Sequence, residues 1–495
     1  MVLLALPESS RQNGSTMTQK PVAMPIARRA VLAGSAMLPF LPRLSLADTA
    51  PASDRFIWGV STSAAQIEGA VTEDGRSESI WDVYARQPGR VADGATPAVA
   101  CDHYHRWEED VALMQRLGIG AYRFSIAWPR VLPEGIGAQN DKGWDFYARL
   151  VDALLKADIR PMPCLYHWDL PQVLQEKGGW FNRDSAAWLT EYAQAAVRRL
   201  GDRVNHWFVL NEAAVHAVFG HGSGEHAPGV TGGDAGVLKA LHHQNLAQGS
   251  ALRAMRTERA GLTLGTVLSL QPVVPDSDRD EDRQAAIRWD AVWNRVTLDG
   301  LMRGALPEIL APQMADLVEG DDLAIIKAPV DILGMNYYSR FTVRAQPGWL
   351  FGIGWGKART DRFTAYGWPV EPEGIGEVLR ELKELYGNPP VLITENGAAY
   401  ADVPTGDVSK GGGRIDDQDR IGFLRDHVRV MQKAIADGCN VKGYCAWSLL
   451  DNFEWQMGYR MRFGLVYVNF AGNRERTPKT SFDWFREVAR SGVPA

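Results

Sequence analysis

The strongest constraint in this chain is an alternation. From Phe56 onward, short runs of β-branched and aromatic residues trade places eight times with longer segments of helical period. The runs fall at 56–63, 121–128, 160–168, 204–211, 262–270, 330–336, 391–395 and 441–447. They are apolar almost throughout, as strands buried on both faces of a parallel sheet must be. Between them, 102–117 and 144–156 carry helical patterns, and Trp144, Tyr147, Leu150, Val151, Leu154 and Leu155 recur on one face of the second. Eight strand–helix units predict an α/β fold: a single closed (β/α)8 TIM barrel over residues 54–492, with long βα loops forming the mouth of an active site. The loops at 221–235, 345–372 and 402–414 are rich in Gly, Pro and charge and are expected to wall that mouth.

A barrel of this kind builds its site at the carboxyl ends of its strands. Polar residues gather there in this sequence. The first run leads into Gln66-Ile67-Glu68, the third into Tyr166-His167-Trp168-Asp169, and the fourth ends Asn211-Glu212. The sixth closes on Asn336-Tyr337-Tyr338, the seventh on Thr394-Glu395-Asn396-Gly397, and the eighth on Trp447, followed by Asp451-Asn452-Phe453-Glu454-Trp455. Glu212 and Glu395 would face each other across the mouth, and a pair of carboxylates flanking the scissile bond is what glycosidic cleavage requires. One protonates the leaving oxygen while the other attacks, with the two groups expected roughly 5 to 5.5 Å apart in a retaining enzyme.

Composition narrows the partners. A net charge of −6 with scattered arginines supplies no basic stripe, so nucleic acid is not expected as a partner. The 17 Trp and 14 Tyr residues provide the aromatic floors that sugar rings stack on, beyond those the core uses. Cys101, Cys164, Cys439 and Cys445 show no pairing pattern and are expected to be buried thiols. His103-x-His105 and His242-His243 hint at a metal only weakly, so no metal and no cofactor are expected.

Before the barrel, Arg28-Arg29 precede an apolar run from Ala30 to Leu41 and then Ser45-Leu46-Ala47, whose small residues suit a signal peptidase. Residues 1–47 are therefore expected to be a signal peptide of twin-arginine type, giving a periplasmic protein with no membrane anchor after cleavage. The apolar run is too short to span a bilayer, and Met17 and Met24 are alternative starts.

Taken in order along the chain, these motifs resemble glycoside hydrolase family 1, the β-glucosidase family. Phe56-Ile57-Trp58-Gly59 through Gln66-Ile67-Glu68-Gly69 resembles its opening signature, Asn211-Glu212 its acid/base motif, and Ile393-Thr394-Glu395-Asn396-Gly397 its nucleophile motif. The resemblance implies a retaining exo-β-glycosidase acting on a small β-glycoside or oligosaccharide. It implies Glu212 as acid/base and Glu395 as nucleophile, the latter supported by Arg123 and Tyr338. Gln66, His167, Trp168, Asn211, Asn336, Glu454 and Trp455 would bind the sugar, Trp447 would stack beneath its ring, and a cis peptide would follow Trp447.

The chain also departs from the family pattern: Val209 replaces the usual Thr, and Ala213-Ala214 replace Pro and an aromatic residue after the acid/base. Asn469 and Met461 are atypical as well. Glu454, where the phosphoglycoside branch has Ser, favours a neutral sugar, and a carboxylate at Glu212, where thioglucosidases have Gln, favours an O-glycosidase. A mainly transglycosylating enzyme and a non-catalytic sugar-binding barrel are the alternatives.

Overall fold

The eight expected runs are all strands, and each pairs in parallel with its neighbours along the chain. In the computed structural model, which describes residues 56–409 and 413–492, they are β1 (Ile57–Ser61), β2 (Ala121–Ser125), β3 (Arg160–Tyr166), β4 (His206–Asn211), β5 (Thr263–Ser269), β6 (Ile332–Asn336), β7 (Val391–Asn396) and β8 (Val441–Trp447). β8 returns to β1, with Ile57–Ser61 in register beside Gly443–Trp447, and the sheet closes into a barrel. The expected signal segment, residues 1–47, lies outside the described residues.

Strand bounds are shorter than the apolar runs for local reasons. Thr62 and Ser63 turn directly into the helix Ala64–Ile67, and the 121–128 run stops at Ser125 because Trp128–Val131 coils with Pro129 in its first turn. Proline suits that turn, since the N–H it lacks would have no helical partner there.

One side chain or more from every strand fills the barrel. Ala121, Met162, Cys164, Phe208, Val267, Ile332, Leu392 and Cys445 form one buried cluster, with Ile57 packed against it. Tight packing at such positions means that truncating Phe208 to Ala would cost about 3–5 kcal/mol. All four cysteines are buried and free.

The helix Asp141–Lys156 shows where the periodic pattern was incomplete. Leu155, expected on its buried face, is 43% exposed, whereas Phe146 is fully buried. The buried arc is rotated toward Phe146 because Tyr104 and Arg130 pack there, with ring centroids 4.6 Å apart for Tyr104 and the Arg130 guanidinium 5.8 Å from the ring.

The long loops are more ordered than their composition suggests. Within 345–372, the strand Ile353–Trp355 pairs antiparallel with Phe341–Ala345, and Trp349 and Trp355 pack on the buried Trp289 at 5.5 and 5.9 Å. Aromatic burial compensates the entropy of ordering that segment.

The histidine pairs make local contacts. His103 meets Asp110 at 2.7 Å, His105 lies between Asp102 and Glu73, His242 meets Asp322 at 2.9 Å, and His243 meets the Trp180 carbonyl at 2.9 Å. Carboxylates thus do reach three of these histidines, Asp102 from three residues before His105, and Glu73, Asp110 and Asp322 from farther along the chain. No group of three or more His, Cys, Asp or Glu side chains suited to a metal occurs among the described residues.

Candidate active site

The ends of β4 and β7, which carry the two carboxylates, are both irregular. Pairing of β4 with β5 slips between Phe208 and Asn211, and pairing of β7 with both neighbours slips near Ile393–Asn396. Such bulges re-aim the last side chains of a strand. Glu212 itself sits at φ 53°, and Trp168 and Trp455 at 72° and 49°, a region non-glycine residues adopt at a cost. Three strained residues meeting at one mouth mark a built site. Gly397 completes the turn after Glu395: a Cβ there would lie 1.8 Å from the Trp447 carbonyl oxygen, so only glycine allows β7 and β8 to approach. The peptide after Trp447 is cis.

Glu395 is held by two donors. Arg123 Nη1 lies 2.5 Å from its Oε1 and Tyr338 Oη donates to its Oε2 at 2.7 Å. Burial, and then the neighbouring Glu395 charge, push the Tyr338 phenol well above its usual range, so it keeps the proton it donates. Arg123 is fully buried and turns its Nη2 to Asn211 Oδ1 at 2.6 Å.

Glu212 is built differently. It is 6% exposed and receives hydrogen bonds from Asn336 Nδ2, at 2.9 Å, and from Ser269. Burial first, and the charge on Glu395 second, raise its carboxyl from 4.5 to about 8. The sequence reading rests the mechanism on a nucleophile and an acid; the structure adds that desolvation, more than the nucleophile's charge, keeps Glu212 protonated. Both glutamates are buried, but only Glu395 is paired with a guanidinium.

Around them lies a polar shell. Asn211 Nδ2 donates to His167 Nε2 at 3.1 Å, which leaves the proton of a neutral imidazole on Nδ1. That Nδ1 is buried and finds no protein partner, so it is a donor available to a bound hydroxyl. Burial and the Arg123 charge keep His167 neutral by lowering its pKa well below the usual value.

Gln66 Nε2 donates to Asn452, to the Phe453 carbonyl and, at 3.3 Å, to Glu454. Glu454 is also pushed to about 8, by burial and then by Glu395. Its neighbour in sequence to Gln66, Glu68, points elsewhere: it takes Arg130 Nε at 3.0 Å and Tyr147 Oη at 2.5 Å and ties the first loop to the barrel wall.

All twelve residues expected at the site therefore meet in one contiguous set. Two details differ in kind from a simple sugar-binding shell: Asn336 spends its amide on Glu212, Asn211 and Thr394, and Trp168 Nε1 donates to the Asn211 carbonyl.

The aromatic walls are Trp455, 4.8 Å from Trp168, and a second group in which Trp447, Phe463 and Ala399 are covered by Tyr338, Tyr366, Trp368 and Met461. Tyr366 stacks on Trp368 at 4.4 Å and 28°, and Trp368 abuts Tyr338 at 5.2 Å. Sequence reasoning flagged the loop but missed these two side chains; aromatic residues flanking a glycine in a presumed wall were the available signal. Ser269, a hydrogen-bond partner of Glu212, was also missed. Ala213 and Ala214 open the helix Ala213–His216 and are both buried.

A closed (β/α)8 barrel that holds a protonated and a salt-bridged carboxyl under a polar, aromatic-walled pocket has the construction of an O-glycosyl hydrolase. Comparison with known proteins gives the family. The sequence profile of Glycosyl hydrolase family 1 matches residues 48–493. Thermostable beta-glucosidase B of Thermobispora bispora is 46% identical over 450 residues, covering 88% of this chain and 90% of that protein. Beta-glucosidase A of Acetivibrio thermocellus is 43% identical over 443 residues, covering 88% and 97%. Among solved structures, the family 1 β-glucosidase from Thermotoga maritima matches with a TM-score of 0.84 at 41% identity, over 90% of this chain and 99% of that one. That enzyme has also been solved in complex with deoxynojirimycin. The chain belongs to glycosyl hydrolase family 1, and it is an O-glycosyl hydrolase.

Proposed function

We propose that this protein is an exo-acting, retaining β-glucosidase in which Glu212 is the acid/base and Glu395 the nucleophile. The observation that carries the roles is the asymmetry of the pair: Arg123 and Tyr338 hold Glu395 as an anion, while burial keeps a proton on Glu212. The relatives support the substrate class, since those at 40–46% identity include beta-glucosidases and a 1,4-beta-D-glucan glucohydrolase of Thermotoga neapolitana.

In the first step Glu212 gives its proton to the glycosidic oxygen as the bond to the anomeric carbon breaks, and a Glu395 oxygen bonds to that carbon from the opposite face. The aglycone leaves as an alcohol. Bonding consumes the Glu395 charge, so the charge-dependent part of the Glu212 shift disappears and its pKa falls. Glu212, now a base, takes a proton from water, whose oxygen attacks the anomeric carbon and frees Glu395. Two inversions give net retention. Tyr338 and Arg123 release and recover the same carboxylate, and His167, Gln66 and Glu454 orient hydroxyls around it.

Turnover of p-nitrophenyl β-D-glucoside tests this reading. Glu395→Ala is expected to be inactive, and azide is expected to rescue Glu212→Ala with a β-glycosyl azide product. An α-azide, or a wild type inert toward simple β-glucosides, would overturn it.

We also propose export to the periplasm through the twin-arginine route, with cleavage after Ala47. The family match beginning at residue 48, directly after that position, supports a boundary there. N-terminal sequencing of the periplasmic form, with Arg28 and Arg29 replaced by Lys in a control, checks it.

A further inference from the structure

The side-chain amide of an asparagine has two ends of nearly equal size, and which end faces a catalytic carboxyl matters: N–H favours the ionised acid, whereas C=O favours the protonated one. Asn336 faces Glu212 in this way. Its orientation is decided by its other contacts. Asn211 Oδ1 already accepts from Arg123, which can only donate, so the end of Asn336 that approaches it at 3.2 Å must be the NH2 group. The opposite end, Oδ1, meets a single hydroxyl: Thr394 Oγ1 donates to it at 2.6 Å. Both residues are 0% exposed, so water does not take that place. Thr394 is itself fixed from below, because Ser61 Oγ donates to its carbonyl at 2.6 Å.

We infer that Thr394 is a positioning residue for the acid/base: its hydroxyl, at the opposite end from Asn211 Oδ1, holds the Asn336 amide so that its N–H stays on Glu212. The inference rests on the acid/base role proposed for Glu212 and deepens it. Without the hydroxyl, Asn336 Oδ1 is buried and unpaired, and the amide shifts to relieve this, which weakens the N–H bond that favours the ionised form of Glu212. The acid then holds its proton to higher pH. This matters for a residue that must serve in both protonation states, as acid in one step and base in the next.

The other groups facing Glu212 keep their places. Glu395 on β7 is the negative neighbour and Arg123 on β2 the positive one; Glu454 beyond β8 is itself raised to about 8, and Tyr338 beyond β6, His167 beyond β3 and Ser269 on β5 are neutral. Thr394 pairs with none of them. Its hydroxyl reaches Glu212 only through Asn336.

The test compares wild type, Thr394→Val, Thr394→Ala and Thr394→Ser in two assays. The first is the pH profile of kcat/KM with an alkyl β-glucoside, whose poor leaving group needs the acid. The second is inactivation by a dinitrophenyl 2-deoxy-2-fluoro-β-glucoside, which traps the nucleophile without needing the acid. Thr394→Val and Thr394→Ala are expected to move the alkaline limb upward by roughly half to one pH unit, the size of one lost hydrogen bond. Thr394→Ser is expected to retain the wild-type profile, and all four proteins to be trapped at similar rates. An unmoved limb in both Val and Ala variants, with activity lowered equally at every pH, overturns the inference, as does loss of trapping in both. If the wild type itself is not trapped, the retaining mechanism falls on its own account.

Discussion

Replacing Glu212 by Gln should make the folded protein more stable in mildly alkaline solution while removing its turnover of unactivated substrates. The Glu212 carboxyl lies at about 8 in the folded protein against an ordinary value of 4.5, because of burial and then of Glu395. Between those values the folded protein keeps a proton that the unfolded chain has released. Stability on account of this group is therefore fully present below the ordinary value and is lost as pH rises toward the folded value. Each pH unit in that window is worth about 1.4 kcal/mol, so the wild type loses about 4 kcal/mol between pH 5 and pH 8 that an amide at this position keeps. The Gln carbonyl can still accept from Asn336 at the 2.9 Å contact, and Glu454, raised in the same direction, is present in both proteins. Urea unfolding of both proteins at the two pH values measures the effect, as a stability gap that widens with pH. A gap that stays constant across the window would refute the claim that Glu212 is protonated in the folded enzyme.

Three further outcomes follow from the same geometry. Tyr338→Phe removes the 2.7 Å hydrogen bond to Glu395 and is expected to lower kcat/KM by about 10- to 100-fold, since a hydrogen bond to a charged group contributes about 1.5–3 kcal/mol; steady-state kinetics check it. Arg123→Met leaves Glu395 buried without its cation, with an expected loss of about 3–5 kcal/mol of stability at neutral pH; denaturant titration against the wild type decides. Trp368→Ala strips the outer aromatic wall and is expected to raise KM for aryl glucosides by about 5-fold while leaving trapping by small fluorosugars little changed, as one lost aromatic contact of about 1 kcal/mol implies.

The barrel was legible because periodicity reports burial directly. Strands shielded on both faces have no polar alternation, and the eight apolar runs could be counted without knowing what covers them. The helix Asp141–Lys156 marks the limit of that signal. Its period locates a buried face, yet whether Leu155 or Phe146 lies inside that face depends on Tyr104 and Arg130, residues from other segments. The loop at 345–372 reads as a wall of the mouth from its length, glycines and prolines, but Trp349 and Trp355 find Trp289 only after the chain has folded.

For the site, the sequence by itself determined which side chains arrive at the mouth. A residue at the carboxyl end of a barrel strand has nowhere else to go, which is why Glu212, Glu395, Asn211 and Asn336 could be named from strand ends alone. Only the tertiary structure decided what those side chains do to one another. The protonation of Glu212, the tautomer of His167, and the divergence of Gln66 toward the pocket and Glu68 toward Arg130 all depend on burial and on partners distant in sequence. So does the Thr394–Asn336 contact across 58 residues. Desolvation and hydrogen-bond direction are properties of a three-dimensional neighbourhood, and in a barrel each such neighbourhood is assembled from several strand ends.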